Sequence, residues 1–218
     1  MRWLALGGVL LFWVGVFLAG ALVDGYSARE DYISSLASRG SPVALLGVGA
    51  LLASAAAHLV TAWVTLKAWR SWFVSGSLLL SGVGTGVVAV FGSSCPAGPP
   101  GCAVSETSSG DWVDTVHGVS AGVYELFALS AMLTLAVGAL RPNTKWPRWL
   151  GAASLLFAVA SLLLIGQTDG GDIGLWQRLW LANNLAWLLT VAWVGTGEFG
   201  YLPRSGSSSE SQRSNSPG

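Results

Sequence analysis

The sequence predicts an all-α membrane domain: a polytopic bundle of six transmembrane helices with both termini on the cytoplasmic side. Three observations predict it. Of 218 residues, 52% are apolar and only 10% charged, too greasy for an ordinary soluble domain and too short for six spans plus a second folded unit. The apolar residues gather in runs at about 3–23, 43–64, 73–92, 113–140, 150–166 and 177–198, and most of these reach the ~20 residues needed to cross hydrocarbon. The stretches between them alternate in charge. Arg2, Lys67, Arg70, Arg141, Lys145, Arg148, Arg204 and Arg213 fall on one side, and only Arg29, Arg39 and Arg178 on the other. Eight basic residues against three assign the first side to the cytoplasm. The acids Asp24, Glu30, Asp31, Glu106, Asp111, Asp114, Asp169 and Asp172 collect on the outer side, so a formal net charge of zero conceals a segregation. No basic face for nucleic acid exists.

The first run opens with Arg2 and closes with Ala19-Gly20-Ala21, which imitates a secretory signal and its cleavage site. At about 21 residues, with Trp3 and Trp13 inside it, the run is longer than a signal core and is read as a retained first span. The loop that follows, 24–42, is too long and too charged for a simple turn. It predicts a short interfacial helix, with Ile33, Leu36 and Tyr32 toward lipid or bundle and Arg29, Glu30, Asp31 and Ser34 toward water.

The second and third runs are joined by a short inner turn, 65–72, and the fourth and fifth by another, 141–149, which makes consecutive helices antiparallel neighbours. Aromatic belts agree with this sidedness: Trp63, Trp69, Trp72, Trp146 and Trp149 at the inner surface, Trp112, Trp176 and Trp180 at the outer. Ser77, Ser81, Gly82 and Gly86 in the third run, with Gly118 and Gly122 in the fourth, predict close contacts within the bundle. Residues 1–202 form the membrane domain, and the tail 203–218, rich in Ser, Gly, Asn and Pro, is expected to be disordered and cytoplasmic.

Cys95 and Cys102 bracket a Pro/Gly segment in the second outer loop. An outer location is oxidising, so they are expected to form a disulfide. A metal pair is disfavoured, because no nearby histidine or third cysteine completes a ligand set.

A polar constellation opens the fourth run: Asp111, Asp114, His117, Ser120, Tyr124 and Glu125, spaced by three or four so that most share one helical face. An aspartate three residues before a histidine can orient the imidazole, as general-base catalysis and headgroup binding both require, or it can serve only as a capping carboxylate. Glu125 falls ~18 Å below the outer end, near the bilayer midplane, where a carboxylate must face the interior, be protonated or pair. Asn183 and Asn184, ~10 Å into the last run, are its candidate partners. His58 lies ~16 Å deeper than His117, which rules out a shared metal ion or a bis-histidine haem. His58 either approaches Glu125 or bonds a neighbouring carbonyl. In the third outer loop, Arg178 follows Gln177; it either pairs with Asp111, Asp114 or Asp172 or offers a fork to a lipid phosphate.

The segment from Tyr26 to Pro42 with the core Tyr32-Ile33-Ser34-Ser35-Leu36, the start His117-Gly118-Val119-Ser120-Ala121, and Gly174 to Arg178 together resemble the bacterial and archaeal membrane proteins grouped as domain of unknown function 998. The resemblance spans nearly the whole chain, with the Cys95–Cys102 loop as a local elaboration. That family looks distantly similar to eukaryotic six-helix proteins of the Frag1, DRAM and Sfk1 type, which implies a role facing lipids. It supplies no catalytic residue.

The expected protein is therefore a multi-pass protein of the plasma (inner) membrane that binds, and in an enzymatic version modifies, a lipid or lipid-linked headgroup in an outer-leaflet pocket. The first outer loop lids the pocket. The candidate polar site is Ser34, Ser35, Asp114, His117, Glu125, Gln177, Arg178 and Asn184. No cofactor and no metal are expected, and membrane lipids are the expected partners. No Gly-x-Ser-x-Gly elbow supports an enzyme. Two rival readings are a small proton-coupled transporter using Glu125, His58, Asn183 and Asn184, and a non-catalytic accessory subunit of another membrane protein.

Overall fold

The computed structural model describes residues 1–94, 111–142, 144, 146–168 and 171–197. Among them every regular element is helical: α1 (Arg2–Ala21), a short 3-10 helix (Ile33–Ala37), α2 (Ala44–Trp69), α3 (Trp72–Val90), α4 (Trp112–Ala139), α5 (Arg148–Ile165) and α6 (Ile173–Thr196). Cys95, Cys102 and the 203–218 tail lie outside the described residues.

α1 to α5 are each long and apolar enough to cross a membrane. α6 has the length, 24 residues, but Gln177, Arg178, Asn183 and Asn184 dilute its apolarity. It packs against α5, α2 and α1, so those side chains turn into the bundle rather than toward lipid. Consecutive helices are neighbours throughout and α6 closes back on α1. The arrangement is a helical membrane bundle whose lipid-facing surface is hydrocarbon, with Leu11, Phe17, Phe73, Leu156 and Leu163 all more than 60% exposed. In a bilayer such exposure is the normal state of an outer helix face.

Two boundaries differ from the periodicity. α2 runs to Trp69, five residues past its apolar run, because Lys67 belongs to its last turn with its ammonium 4.5 Å from the Trp63 ring. The turn into α3 shrinks to Arg70, in the left-handed region at φ 53°, and Ser71, whose hydroxyl caps the amide of Val74. α6 starts four residues before its apolar run, so Gly174, Gln177 and Arg178 are helical.

Small residues set the helix spacing, though at fewer places than the sequence predicts. A methyl on Gly82 would stand 3.0 Å from His58 Cβ, and one on Gly84 would stand 2.9 Å from the Ser120 carbonyl oxygen. These two glycines let α3 lie close against α2 and α4. Gly86, Gly118 and Gly122 have nothing within 4 Å of such a methyl, so the small-residue stripe at the start of α4 is not a helix contact.

The 3-10 helix folds down onto the end of the bundle that the charge distribution assigns to the outer side. It touches α1, α2, α3 and α6. Ile33 and Leu36 are buried, which resolves their expected partner as bundle rather than lipid; Tyr32 is half-buried, and Ala37 is buried beside them. Gly47, in the first turn of α2, permits this contact: a methyl there would meet the Leu36 and Ala37 backbone at 2.7 Å.

Candidate functional site

The first outer loop is tied down from both sides. Arg29 donates to both carboxylate oxygens of Asp172 at 2.6 and 2.9 Å, and the Arg29 carbonyl accepts from the Leu175 amide at 3.0 Å. Arg39 donates to Asp111 at 2.5 Å, and its amide donates to the Ser93 carbonyl. The arginine hydrogen bonds hold the Asp111 and Asp172 carboxyls below the usual aspartate range. Both ion pairs are solvent-exposed, so each contributes little to stability.

Arg178 is committed to the same loop. It donates to the carbonyls of Asp31 at 2.9 Å and Gly174 at 2.7 Å and to the Tyr26 hydroxyl, and its guanidinium lies over the Tyr26 ring. Burial raises the Tyr26 phenol pKa, and the Arg178 charge only partly offsets that. Neither expected role of Arg178 describes this geometry: it braces loop backbone, while Asp172 and Asp111 are taken by Arg29 and Arg39. Gln177 belongs to the brace as well, its Oε1 accepting from the Ile33 amide at 2.6 Å.

Asp114 does not orient His117. Its two oxygens accept from the Ser94 amide at 2.7 Å and the Ser94 hydroxyl at 2.5 Å, closing the end of α3 onto α4. His117 Nδ1 bonds the Phe91 carbonyl at 2.8 Å. A carbonyl can only accept, so Nδ1 carries a proton and donates it to this bond. The spacing rule places Asp114 and His117 on one face, but each finds a nearer partner at the end of α3. Ser35 turns back to the Tyr32 carbonyl at 2.6 Å.

Beneath the 3-10 helix lies a cavity of about 70 Å³. Ser34, His117 and Gln177, all half-buried, stand at its mouth, with Ser54, Thr85 and Tyr124 deeper. Phe12, Ile33, Leu51, Val88 and Leu181 supply hydrocarbon wall. Of the eight candidate residues, Ser34, His117 and Gln177 reach this space; Ser35, Asp114, Arg178, Glu125 and Asn184 are not among its lining.

Glu125 and Asn184 form a second, buried centre between α4, α5 and α6. Glu125 accepts from Ser161 at 2.9 Å on one oxygen, and from Trp180 Nε1 and Asn184 Nδ2 at 3.1 Å each on the other. Ser161 also lies 2.8 Å from Asn184 Oδ1, and Asn183 donates to the Phe157 carbonyl at 3.0 Å. Among the described residues the carboxyl meets only neutral donors. The network serves either protonation state: ionised, Glu125 accepts a hydrogen bond from the Ser161 hydroxyl; neutral, its own hydroxyl donates to Ser161, which turns to Asn184. The depth mismatch expected between Glu125 and Asn184 disappears because α6 starts earlier, putting Asn184 about 16 Å into its helix. His58 bonds the Ser54 carbonyl at 2.9 Å and stacks edge-on against Tyr124.

Trp180 joins the two centres, lining the cavity with its ring and reaching Glu125 with its indole nitrogen. Neither Trp180 nor Ser161 stands out in the sequence, where a tryptophan near a helix start reads as interfacial belt and a lone serine in an apolar run carries no signal. Tyr124 belongs to the constellation at the start of the fourth run, but periodicity alone gives it no partner. Its hydroxyl is buried without a hydrogen-bond partner.

Among the described residues no cluster of histidine, cysteine, aspartate and glutamate could hold a metal ion. A family model described as a protein of unknown function (DUF998) matches residues 6–194. Neither a search of curated proteins nor one of solved structures gave a match.

Proposed function

We propose, for a chain that belongs to the DUF998 family of proteins of unknown function, that it is a lipid-binding protein of the plasma (inner) membrane whose site is the cavity under the first outer loop. The supporting observation is the amphiphilic cavity itself: a polar mouth of Ser34, His117 and Gln177 over a wall of Phe12, Leu51 and Leu181, closed by a 3-10 helix held through exposed ion pairs. Exposed pairs are individually weak, so the resistance to lifting the cover comes mainly from buried Ile33 and Leu36 and from the Gln177 and Arg178 hydrogen bonds. A lipid head then enters from the outer leaflet, and the loop settles back over it. Asp114 and Arg178 serve by holding the rim of the site rather than by touching the ligand.

The test is identification of what the purified protein carries. Lipid extracted from the wild type in mild detergent should contain one class at a near-stoichiometric level. His117→Ala should lower that level several-fold while the unfolding temperature stays within a few degrees, since the exchange removes about one hydrogen bond. No retained lipid, or retention indifferent to His117→Ala, overturns the assignment in favour of an accessory subunit.

A further inference from the structure

Resting on the function proposed above, we propose that the site selects an uncharged lipid whose head is a hydroxyl, and that Tyr124 is the residue that recognises it.

The first support is the orphaned phenol. Tyr124 is 4% exposed, lines the cavity, and has a hydroxyl without a hydrogen-bond partner. Asn184 is a hydrogen-bonding neighbour of this hydroxyl; one of its two amide hydrogens is spent on Glu125, and the pair falls outside hydrogen-bond geometry. A phenylalanine would fill the same volume without leaving a polar atom unsatisfied, at a site where such an atom costs free energy. A water can satisfy the phenol, and an alcohol of the ligand replaces that water group for group.

The second support is charge. Among the described residues, no lysine, arginine, aspartate or glutamate lines the cavity. The arginines nearest the outer face are occupied: Arg29 by Asp172, Arg39 by Asp111, Arg178 by two carbonyls and Tyr26. A phosphate brought beneath the 3-10 helix would be a buried anion without a cation, which is strongly unfavourable. A hydroxyl needs one acceptor and one donor, and the lining offers both: His117, with Nδ1 spent on the Phe91 carbonyl, turns Nε2 to the ligand, and Tyr124 donates.

Diacylglycerols and long-chain isoprenoid alcohols share this chemistry. Full-length protein in detergent is offered four probes in separate native mass-spectrometry titrations: dioleoylglycerol, dioleoyl phosphatidate, geranylgeraniol and geranylgeranyl phosphate. The expected result is at least ten-fold tighter binding of one or both alcohols than of the phosphate with the same chain. Tyr124→Phe should lower alcohol binding about five- to ten-fold, the worth of one hydrogen bond, and leave the unfolding temperature of the ligand-free protein unchanged or higher. The alcohol that is retained identifies the source. Phosphates bound as well as alcohols, or alcohol binding indifferent to Tyr124→Phe, overturns this inference while the lipid site stands. Failure of all four probes, with no lipid retained from the cell, overturns both.

Discussion

Glu125 shows what a single carboxyl needs in order to persist near the middle of a membrane bundle. Three neutral donors from two other helices converge on it, and among the described residues no cation does. A glutamine fits the same network: its carbonyl takes the Trp180 and Asn184 protons, and its amide donates to Ser161, which turns to Asn184. Glu125→Gln should therefore shift the unfolding temperature in detergent by a few degrees at most. Glu125→Ala should cost about 2–3 kcal/mol, because it strands those donors and opens a void. Equal losses from the two variants would mean that ionisation of Glu125, rather than its hydrogen bonding, holds the helices. Arg178 is a second residue with a structural duty. Arg178→Lys keeps the charge but loses the planar fork that reaches two carbonyls and a phenol at once, so it should destabilise nearly as much as Arg178→Ala, measured by the same thermal unfolding.

At the scale of elements, the 3-10 helix is the part that the proposed function requires to move. Its apolar residues are fully packed, yet its flanks are held by exposed ion pairs and a few hydrogen bonds. The close approach at Gly47 gives a way to displace it without touching the cavity. Gly47→Ala puts a methyl 2.7 Å from the Leu36 and Ala37 backbone, and amide exchange at Ile33 should speed up at least several-fold. Exchange like that of the wild type would show that the cover is not set by this contact. Acid should loosen the same element. Asp111 and Asp172 are more acidic in the folded protein than in the unfolded chain, so their contribution is present above the ordinary aspartate midpoint of about 4 and disappears as pH falls through the lowered folded values. Exchange at Ile33 should be flat from neutral pH to about 4, after correction for intrinsic rates, and rise only below. A rise already at pH 6 would point to an imidazole instead.

For the whole molecule, orientation carries the most weight, since an outer-leaflet site requires the first loop to face outward. The eight-to-three division of basic residues predicts that outcome. In a background lacking Cys95 and Cys102, single cysteines at Ser27 and Ser94 should label in intact cells, and one at Thr144 only after permeabilisation. The reverse pattern would put the cavity in the inner leaflet.

Helix number and the existence of a covering loop were legible in the sequence because lipid imposes them on composition, while sidedness stands as a prediction from charge. A span must be about 20 apolar residues, and the positive-inside bias acts on the short connections. Ile33 and Leu36 betrayed their burial for the same reason, as apolar residues at helical spacing in a charged loop. The pairing of polar groups was decided only by tertiary structure. Asp114 and His117 sit three residues apart, and the sequence invites a mutual bond, yet the end of α3 offers Ser94 to one and the Phe91 carbonyl to the other. Arg178 had three acids in view and took backbone carbonyls instead. Hydrogen bonds are short and directional, so their partners depend on which helix ends meet to within an ångström, and no periodicity along one chain records that. The buried Tyr124 hydroxyl belongs to the same class: its residue type was visible, but its lack of a partner emerged only once six helices had closed around it.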